Sequence, residues 1–398
     1  MSDNDVVITG CGAVSAAGFG LDAHWQRLGQ EGRPLPRAAR TLATFKAAPY
    51  LSDRRMLKAV SAADAIGLAA LEGLVKDLGG RPNCYGADRV GLYVGAPPAS
   101  VFDNEPYGEA MGAARGADGH CDVTAFGATC MGARPTTLLM GLPNNVLCYG
   151  AMLLEARGPN SNYTATAVSG HLALVNAARR IERGALDLAV AGGFTAHTEP
   201  VNAAAFWQQG LARDDDGAGD GLALADGATF IALERRQAAA ARGARPLATF
   251  VAAALANDAT GPLSADPTGA ALEVAVRRAL TAAGVDAAQI GLILAGAGGT
   301  MSVERMELDV LSRVFAKVRA QPALGAFPRA LGHMMEAGGL LELALLPRLY
   351  AAGEIPRGAA VSTAGFGTQI DGARPYALVL VTSPWGDISC IVARKECE

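Results

Sequence analysis

The sequence predicts an α/β protein built from two similar halves. Short apolar runs bounded by Gly-rich turns alternate with helical patterns, which is typical of strands buried on both faces between helices. Five such runs precede the polar stretch 242–246 and five follow it. Apolar residues make up 51% of the chain and charged residues only 18%, which favours a large compact core. We therefore predict duplicated five-stranded α/β halves, with residues 1–243 as the first and 244–398 as the second.

The first half contains five predicted strands, each an apolar or β-branched run bounded by turn residues. They cover residues 6–9, 89–95, 163–168, 188–191 and 228–233. A helix is predicted over residues 171–183, because Leu, Val and Ile recur there at helical spacing and Gly184 follows as a stop. This alternation of strand and helix is the pattern of an α/β unit.

The second half repeats the pattern of the first. Its predicted strands cover residues 248–255, 290–295, 322–327, 376–382 and 388–393. A helix is predicted over residues 270–283, with Gly284 as its stop. Because the number of strands matches that of the first half, the sequence indicates a duplicated unit.

Composition limits the partners and the compartment of the protein. The net charge of −4 argues against nucleic-acid binding, which usually requires a basic stripe. Seven cysteines form an odd set without a CxxC pair, as expected of free thiols in a reducing compartment. The start MSDNDVVITG is acidic, unlike a signal peptide, and no apolar run reaches membrane-spanning length. We expect a cytoplasmic protein with no nucleic-acid partner and no membrane partner.

Two motifs suggest nucleotide or serine chemistry but fail in detail. The stretch GCGAVS begins at Gly10 after a strand, yet Ser15 replaces the third glycine of the dinucleotide fingerprint. The stretch AVSGH lacks the flanking glycines of the serine nucleophile motif, because Ala167 and His171 occupy those positions. Ser169 and His171 are two residues apart on a predicted helix and do not face each other. We expect Ser169 to help cap this helix and His171 to pack nearby.

The metal-binding motifs are incomplete as well. His197 and Glu199 match the first half of a deaminase signature, but no PCxxC follows. The acidic loop at residues 213–221 has Ala218 where an EF-hand needs a ligand, and it lacks the terminal Glu. We interpret this loop as a solvated turn. The sequence predicts no metal and no cofactor.

The stretch RGPNSNYTATAVSGHLAL, residues 157–174, has the form of a loop, a short β-branched run and a helix that begins on small residues. Many enzymes place a nucleophile at such a bend, where helix N-terminal amides can stabilise a developing negative charge. The bend falls near Ala167, which is neither Cys nor Ser. The sequence thus predicts a nucleophile elbow that lacks its nucleophile.

Motifs along the chain follow the order found in the β-ketoacyl synthases of the thiolase-like superfamily, which this sequence resembles. The similar stretches are, in chain order, VVITGCGAVSAAG, ARGPNSNYTATAVSG, NAARRIERGALDLAVAGG, DGLALADGATFIALE, GAGGTMSVERMELDVLSRVF and RALGHMMEAGG. Each motif alone is weak, but their shared order makes the resemblance specific. It implies a thiolase-like fold with the two halves in an α-β-α-β-α layered arrangement.

The resemblance also implies which residues occupy the catalytic positions. In that family a Cys thiolate accepts the acyl chain, and two His polarise the thioester carbonyl of the malonyl unit and stabilise its enolate. Here Ala167 stands at the nucleophile position, Gly296 stands at that of the first His, and His333 retains the second. The supporting Lys falls at Pro328 or Arg329. The glycine-rich gate of the family is matched by Gly365, Phe366, Gly367 and Thr368.

Because the catalytic set is not intact, we expect that this chain is not an enzyme by itself. An alanine methyl group cannot form a thioester, and a glycine has no side chain to polarise a carbonyl. The chain resembles the chain-length factor of type II polyketide synthases, which pairs with an active ketosynthase subunit. This implies a heterodimer, an acyl carrier protein as a further partner, and a role in polyketide, polyene (including aryl polyene) or fatty-acid-like elongation. Candidate tunnel and interface residues are Leu139, Met140, Tyr149 and Thr166.

Two alternatives stay open at the level of sequence. One is a homodimeric enzyme that uses His333 with Thr164, Thr166 or Ser169 for acyl transfer or decarboxylation without the usual Cys. The other is an acyl-binding or carrier-docking protein of the same fold. His333 itself also has a simpler explanation as a packed and locally bonded side chain. An intact ketosynthase encoded next to this chain would favour the heterodimer.

Overall fold

The computed structural model describes residues 2–30, 40–81, 83–98, 104–130, 137–212, 221–261, 265–296, 301–361, 363 and 365–396. The strands are β1 (Val6–Ser15), β2 (Gly18–Phe19), β3 (Val90–Gly95), β4 (Ser161–Tyr163), β5 (Leu188–Thr195), β6 (Gly227–Arg235), β7 (Ala248–Asn257), β8 (Ile290–Leu294), β9 (Ala323–Gly325), β10 (Tyr376–Thr382) and β11 (Asp387–Lys395). The α-helices are α1 (Gly20–Leu28), α2 (Ala62–Asp77), α3 (Asn104–Ala113), α4 (Val123–Cys130), α5 (Thr137–Met140), α6 (Asn145–Leu154), α7 (Ser169–Glu182), α8 (Pro200–Gln208), α9 (Arg236–Ala241), α10 (Ala270–Ala283), α11 (Met301–Val314), α12 (Pro328–Leu331), α13 (Leu340–Ala344) and α14 (Leu346–Ala352). Short 3-10 helices occupy Arg54–Lys58, Ala87–Arg89, Thr166–Val168, Ala287–Gln289, Met335–Ala337 and Arg357–Ala359.

The two halves have the same strand order. The sheet follows the path β4-β3-β5-β6-β1-β7-β11-β10-β8-β9, with β2 paired to β1. When the five main strands of each half are numbered separately in chain order, both halves have the order 3-2-4-5-1 from their outer edge. In each half the outer three strands are parallel, and the strands nearer the junction are antiparallel. The predicted duplicated five-stranded α/β halves are confirmed.

The halves join through their innermost strands. β1 and β7 pair antiparallel over a short register, with Val6 opposite Phe250, Val7 opposite Thr249 and Ile8 opposite Ala248. These three pairs make the sheet continuous from one half to the other. The division of the chain between residues 243 and 244 stays a prediction.

Apolar clusters arrange the molecule in five layers, α-β-α-β-α. On the outer side of the first half, α2 and α6 pack on the strands around Phe194 and Phe230. In the centre, α7, α13 and α14 lie between the two sets of strands, and one cluster includes Leu174, Leu341 and Ile391. On the outer side of the second half, α10 and α11 cover β8 and β10. The expected layered arrangement is therefore present.

The glycines of the GCGAVS stretch serve helix packing. A Cβ on Gly12 would lie 1.9 Å from the Ala70 carbonyl oxygen and 2.4 Å from the Leu74 nitrogen of α2. A Cβ on Gly10 would lie 2.8 Å from the side chain of Leu78. Because β1 and α2 approach so closely, these positions require glycine for a reason unrelated to nucleotide binding.

The predicted strand over residues 163–168 is wrong except at Tyr163. β4 ends at Tyr163, and Thr166–Val168 form a 3-10 turn. The β-branched residues favoured a strand, but Thr166 has a φ of 50°, a left-handed conformation that a strand does not contain. Conversely, β1 continues beyond the predicted residues 6–9 to Ser15, because its glycines still pair with β6.

Within the described ranges, no helix combines the length and the apolar character that a membrane-spanning segment requires. The longest described helix, α2, has the acidic Asp64 in its first turn and the basic Lys76 in its last turn. This placement of charge is favourable to the helix dipole.

Gly12→Ala is expected to lower the free energy of unfolding by about 2–3 kcal/mol, because the added methyl group would overlap the backbone of α2. Chemical denaturation measures the change. Gly108→Ala is the matched control, since a Cβ there meets open space on α3 and should leave stability unchanged or raise it. Equal effects of the two substitutions would contradict the close packing.

The buried ring of His171 makes stability depend on pH. Burial in the central layer lowers its pKa from 6.5 to about 4, and its Nδ1 lies 2.9 Å from Ser389 Oγ. The unfolded chain therefore binds a proton between these two pH values that the folded chain does not. The contribution to stability is full above the unfolded pKa and is lost as the pH falls towards 4.

Between about pH 7.5 and pH 5, this histidine alone should reduce the free energy of unfolding by about 2 kcal/mol. His171→Gln removes the titrating group and should flatten the pH dependence by that amount. His120→Gln, at an exposed position, should retain the wild-type dependence. Denaturation at the two pH values measures the difference, and a His171→Gln variant with unaltered pH dependence would refute the assignment.

Candidate active site

The predicted elbow is a bend between β4 and α7. Thr166 occupies left-handed backbone space at φ 50°, which costs a β-branched residue about 1–3 kcal/mol. Its Oγ1 lies 2.8 Å from the Ser383 hydroxyl, after β10 of the second half. The bend is therefore held by a contact between the two halves.

Ser169 braces this bend from its other end. Its hydroxyl accepts a hydrogen bond from the Ala165 amide at 2.8 Å and donates one to the Thr166 carbonyl at 2.7 Å. His171 turns away and bonds to Ser389 at 2.9 Å. Ser169 thus fixes the loop rather than capping the helix, and it forms no dyad with His171.

Ala167 lies inside an apolar cluster. Its methyl group is fully buried, in a cluster with Val168, Phe206, Leu211, Leu222, Leu224, Met335 and Val381. The buried thiols do not replace the missing nucleophile, because burial raises the pKa of Cys11 and of Cys390 and so disfavours their thiolate forms. The assignment of Ala167 to the nucleophile position stays a prediction.

Gly296 has no room for a side chain. A Cβ there would lie 2.7 Å from the Leu380 carbonyl oxygen and 2.8 Å from the Val381 Cα, both on β10. A histidine at this position would therefore require β10 to move. The predicted match of Gly296 to the first histidine of the β-ketoacyl synthases then means that the backbone around this position has no space for the histidine side chain.

His333 is buried and held by the first half. Its amide donates to the Ala223 carbonyl at 2.7 Å, and its carbonyl accepts from the Ala225 amide at 3.1 Å. Nδ1 accepts a hydrogen bond from the Met335 amide at 3.2 Å, so the neutral ring carries its proton on Nε2. Burial lowers the pKa of His333 to about 4, which keeps the ring neutral. The imidazole is thus a fixed hydrogen-bond donor.

A second imidazole lies beside it. His197 follows β5, and its Nε2 lies 3.0 Å from both carboxylate oxygens of Glu336. The ring of His197 meets Phe206 edge to face at 5.0 Å between centroids. Sequence reasoning missed the pair, because 139 residues separate its members and the motif around each residue gives no sign that the two side chains meet.

The turn Met335–Ala337 places Glu336 and His333 against the elbow. A Cβ on Gly193 of β5 would lie 2.0 Å from the Glu336 carbonyl oxygen, and one on Gly170 of α7 would lie 2.4 Å from it. Two glycines therefore admit this turn of the second half between a strand and a helix of the first. Met335 has a φ of 30° within it.

Glu342 is a further buried acid that sequence reasoning did not single out. It lies on α13, and its Oε2 has no hydrogen-bond partner among the described residues. Burial raises its pKa to about 7. Of the two residues predicted at the lysine position, Pro328 begins α12 and Arg329 binds Glu304 at 2.9 Å.

The predicted gate packs against the second half. Phe366 is buried in the outer cluster of the second half. Gly367 accepts a hydrogen bond from Leu324 of β9 at 2.9 Å, and Thr368 accepts one from Ile355 at 2.8 Å. Gly365 is exposed. The structure thus describes an ordered turn against β9, and a gating role stays a prediction.

The predicted tunnel residues lie near the surface of this chain. Leu139 on α5 is 52% exposed, and Met140 and Tyr149 are half-buried. Tyr149 packs against the outer cluster of the first half. Any tunnel that these residues line would therefore have to be closed by a second chain.

The described ranges hold no group of three or more His, Cys, Asp or Glu side chains placed to bind a metal ion. The acidic loop at residues 213–220 lies outside the described residues. The cysteines in the described ranges are free thiols.

Relatives and solved structures resemble most of the chain. The 3-oxoacyl-acyl-carrier-protein synthase 2 of Vibrio cholerae is 27% identical over 369 residues, which cover 86% of this chain and 85% of that protein. The ishigamide ketosynthase/chain length factor has a TM-score of 0.80 at 20% identity and covers 99% of both chains. A type II polyketide acyl carrier protein in complex with its ketosynthase, AntDE:AntF, matches with a TM-score of 0.78 at 18% identity, over 98% of this chain and 99% of that chain. These likenesses confirm the thiolase-like ketosynthase fold.

The expectation that this chain is not an enzyme by itself is wrong. It rested on the side chains predicted to be absent at Ala167 and Gly296, whereas relatives that match 86% of this chain are named as synthases. His333 remains among the polar groups of the site. Models of the β-ketoacyl synthase N-terminal and C-terminal domains match residues 43–239 and 247–361, together more than three quarters of the sequence. The chain belongs to the β-ketoacyl synthase family.

Proposed function

We propose that this chain is one subunit of a two-chain β-ketoacyl synthase, in the position of a chain-length factor, and that an active ketosynthase subunit supplies the elongating thiol. The observation that carries the proposal is a set of exposed apolar side chains in the segment between β3 and the edge strand β4, which leads to an elbow that has Ala167 at the predicted nucleophile position. An acyl carrier protein would deliver the acyl units. Polyketide, polyene and fatty-acid-like elongation use the same condensation chemistry, so the products of the reconstituted pair must be identified to distinguish them.

The exposed apolar residues concentrate in one segment. Of the seven large apolar side chains that the described residues expose, five lie between β3 and β4 and form what we call the apolar edge surface. They are Met111, Val123, Leu139, Leu142 and Met152. A soluble chain rarely leaves so many large apolar groups in one segment uncovered unless a partner covers them.

The edge strand beside this surface is open for pairing. β4 is the outermost strand of the first half and bonds to β3 on one side. An equivalent strand of a second chain can pair along its other side with approximate two-fold symmetry. An obligate interface of this kind would bury about 2,000 Å² or more, which the apolar edge surface helps to supply. It would also bring the two elbows close together.

The nature of the partner follows from what the site lacks. Elongation needs a thiolate to hold the acyl chain, and Ala167 provides none. A ketosynthase of the same fold would present a complementary edge together with its own Cys. The solved relatives named as a ketosynthase/chain length factor and as a ketosynthase with its acyl carrier protein support this choice of partners.

Co-expression with an active ketosynthase should yield a 1:1 complex by size exclusion with light scattering. A Leu139→Asp, Met152→Asp variant should lose the complex, because it places two charges in the apolar edge surface. Val274→Asp is the control, since Val274 is 42% exposed on α10 of the other half and should leave the complex intact. A stable homodimer that ignores the ketosynthase, or a complex unaffected by the double substitution, would contradict the proposal.

Substitution of residues at this interface should change product length. Leu139→Ala, Met140→Ala and Tyr149→Ala, singly or combined, each remove volume from a cavity shared with the partner and should lengthen the products of the reconstituted pair. Mass spectrometry of the products measures their length, and Val274→Ala serves as the control. An unchanged length distribution from an intact complex would show that these side chains do not limit the chain.

A second candidate is decarboxylation of a malonyl thioester by a homodimer, favoured by the geometry of His333. Decarboxylation needs no nucleophile, since it needs only a donor to the thioester carbonyl as the enolate forms. A neutral His333 with its proton on Nε2 has the required form. Release of acetyl thioester by the chain without a ketosynthase distinguishes this activity from the first proposal.

A further inference from the structure

The pair His197 and Glu336 is buried beside the elbow and is not explained by the fold. The side chain of His197 is 6% exposed and that of Glu336 is 1% exposed. Both carboxylate oxygens lie 3.0 Å from Nε2, so one ring nitrogen faces the whole carboxylate. The contacts with the carboxylate use Nε2 and not the other ring nitrogen, Nδ1. A hydrophobic pair of similar volume would fill the same space without the cost of burying charge.

The charges around His197 favour its protonated form. Burial by itself lowers the pKa of His197, but the charge and hydrogen bond of Glu336, together with the charges of Asp226 and Glu199, raise it overall above the ordinary value. Asp226 is itself held by the amides of Leu42 and Thr198, at 2.8 and 3.0 Å. The neighbouring His333 differs, because burial lowers its pKa to about 4 and so favours its neutral form.

The same turn positions both imidazoles. Glu336 lies three residues after His333, and the turn that contains Glu336 is fixed by the contacts of its carbonyl with Gly170 and Gly193. Met335 of that turn packs in the cluster that contains Ala167. Phe206 belongs to this cluster and contacts the ring of His197. The ring of His197 therefore touches a side chain of the cluster that contains Ala167.

We propose that His197, held by Glu336, is the second imidazole of this site and donates the proton that decarboxylation consumes. The inference rests on the second candidate function and assigns its acid. His333 and His197 then have different tasks, since the neutral ring donates a hydrogen bond to the thioester oxygen and the cationic ring transfers a proton. Glu336 is a positioning residue, because it acts only through His197.

The step balances without any further reagent. In a malonyl thioester, the bond between the α-carbon and the carboxylate carbon breaks, and its electron pair forms the enolate at the thioester carbonyl. Carbon dioxide leaves, and the α-carbon takes the proton of His197 to give an acetyl thioester. The neutral ring of His197 then recovers a proton from solvent. The contact with Glu336, which helps to raise the pKa of His197, favours this recovery.

The test uses malonyl-pantetheine and follows acetyl-pantetheine by mass spectrometry across about pH 6 to 9. Wild-type protein should lose activity as the pH rises through the pKa of His197. His197→Gln should reduce the rate by about 100-fold or more at every pH. Glu336→Gln retains an acceptor for Nε2 but removes the charge, and should move the alkaline loss of activity down by about 1–3 pH units. His24→Gln, a buried histidine on α1, is the matched control and should behave as wild type.

Folding of the variants is checked by size exclusion, and ring ¹⁵N NMR of the wild type gives a readout that needs no variant. A doubly protonated His197 at neutral pH supports the proposal, and a neutral ring overturns it. A pH profile that Glu336→Gln leaves in place, or full activity of His197→Gln, also overturns it. If the wild type releases no acetyl product, the inference fails, while the complex with a ketosynthase is judged separately by size exclusion.

Discussion

The site depends on the contact of one carbonyl group with two glycines. The Glu336 carbonyl oxygen occupies the space that a Cβ would take on Gly193 of β5 and on Gly170 of α7. The first half thus receives a turn of the second half at a distance that no other residue type permits. A side chain at either glycine would push this turn outward, and His333 and Glu336 would move with it. The positions of both imidazoles relative to the elbow follow from this close approach.

The elbow keeps its strained geometry although Ala167 cannot react. Thr166 remains left-handed, and contacts from Ser169 and Ser383 hold it there. Such strain persists where surrounding structure enforces it, and here the enforcing groups come from both halves. Gly296 is equally constrained, because β10 fills the space of its side chain. The positions predicted for the nucleophile and for the first histidine are thus filled by close packing, whereas the contact of His197 with Glu336 is an additional feature.

Two regions of the molecule impose different requirements. At the buried site, burial lowers the pKa of both histidines, but Glu336 faces His197 directly and helps to raise its pKa overall, whereas the pKa of His333 falls to about 4. The apolar edge surface differs from this site, because its large apolar side chains are exposed to solvent in the single chain. The turn Met335–Ala337 contacts the elbow, and the segment of the apolar edge surface precedes β4 and the elbow along the chain.

The sequence by itself determined the duplicated α/β fold, because strands and helices have local periodicities that survive without tertiary context. Residues 270–283 were predicted as a helix with Gly284 as its stop, and the structure has the same bounds. Local patterns could not show that Thr166 leaves the strand, since β-branched residues favour strands until a contact with Ser383 bends the chain. Nor could they show that Gly12 is needed by α2. The pairing of His197 with Glu336 was decided only by the tertiary structure, because the meeting of two side chains 139 residues apart depends on how the halves pack and leaves no periodic signal in the sequence.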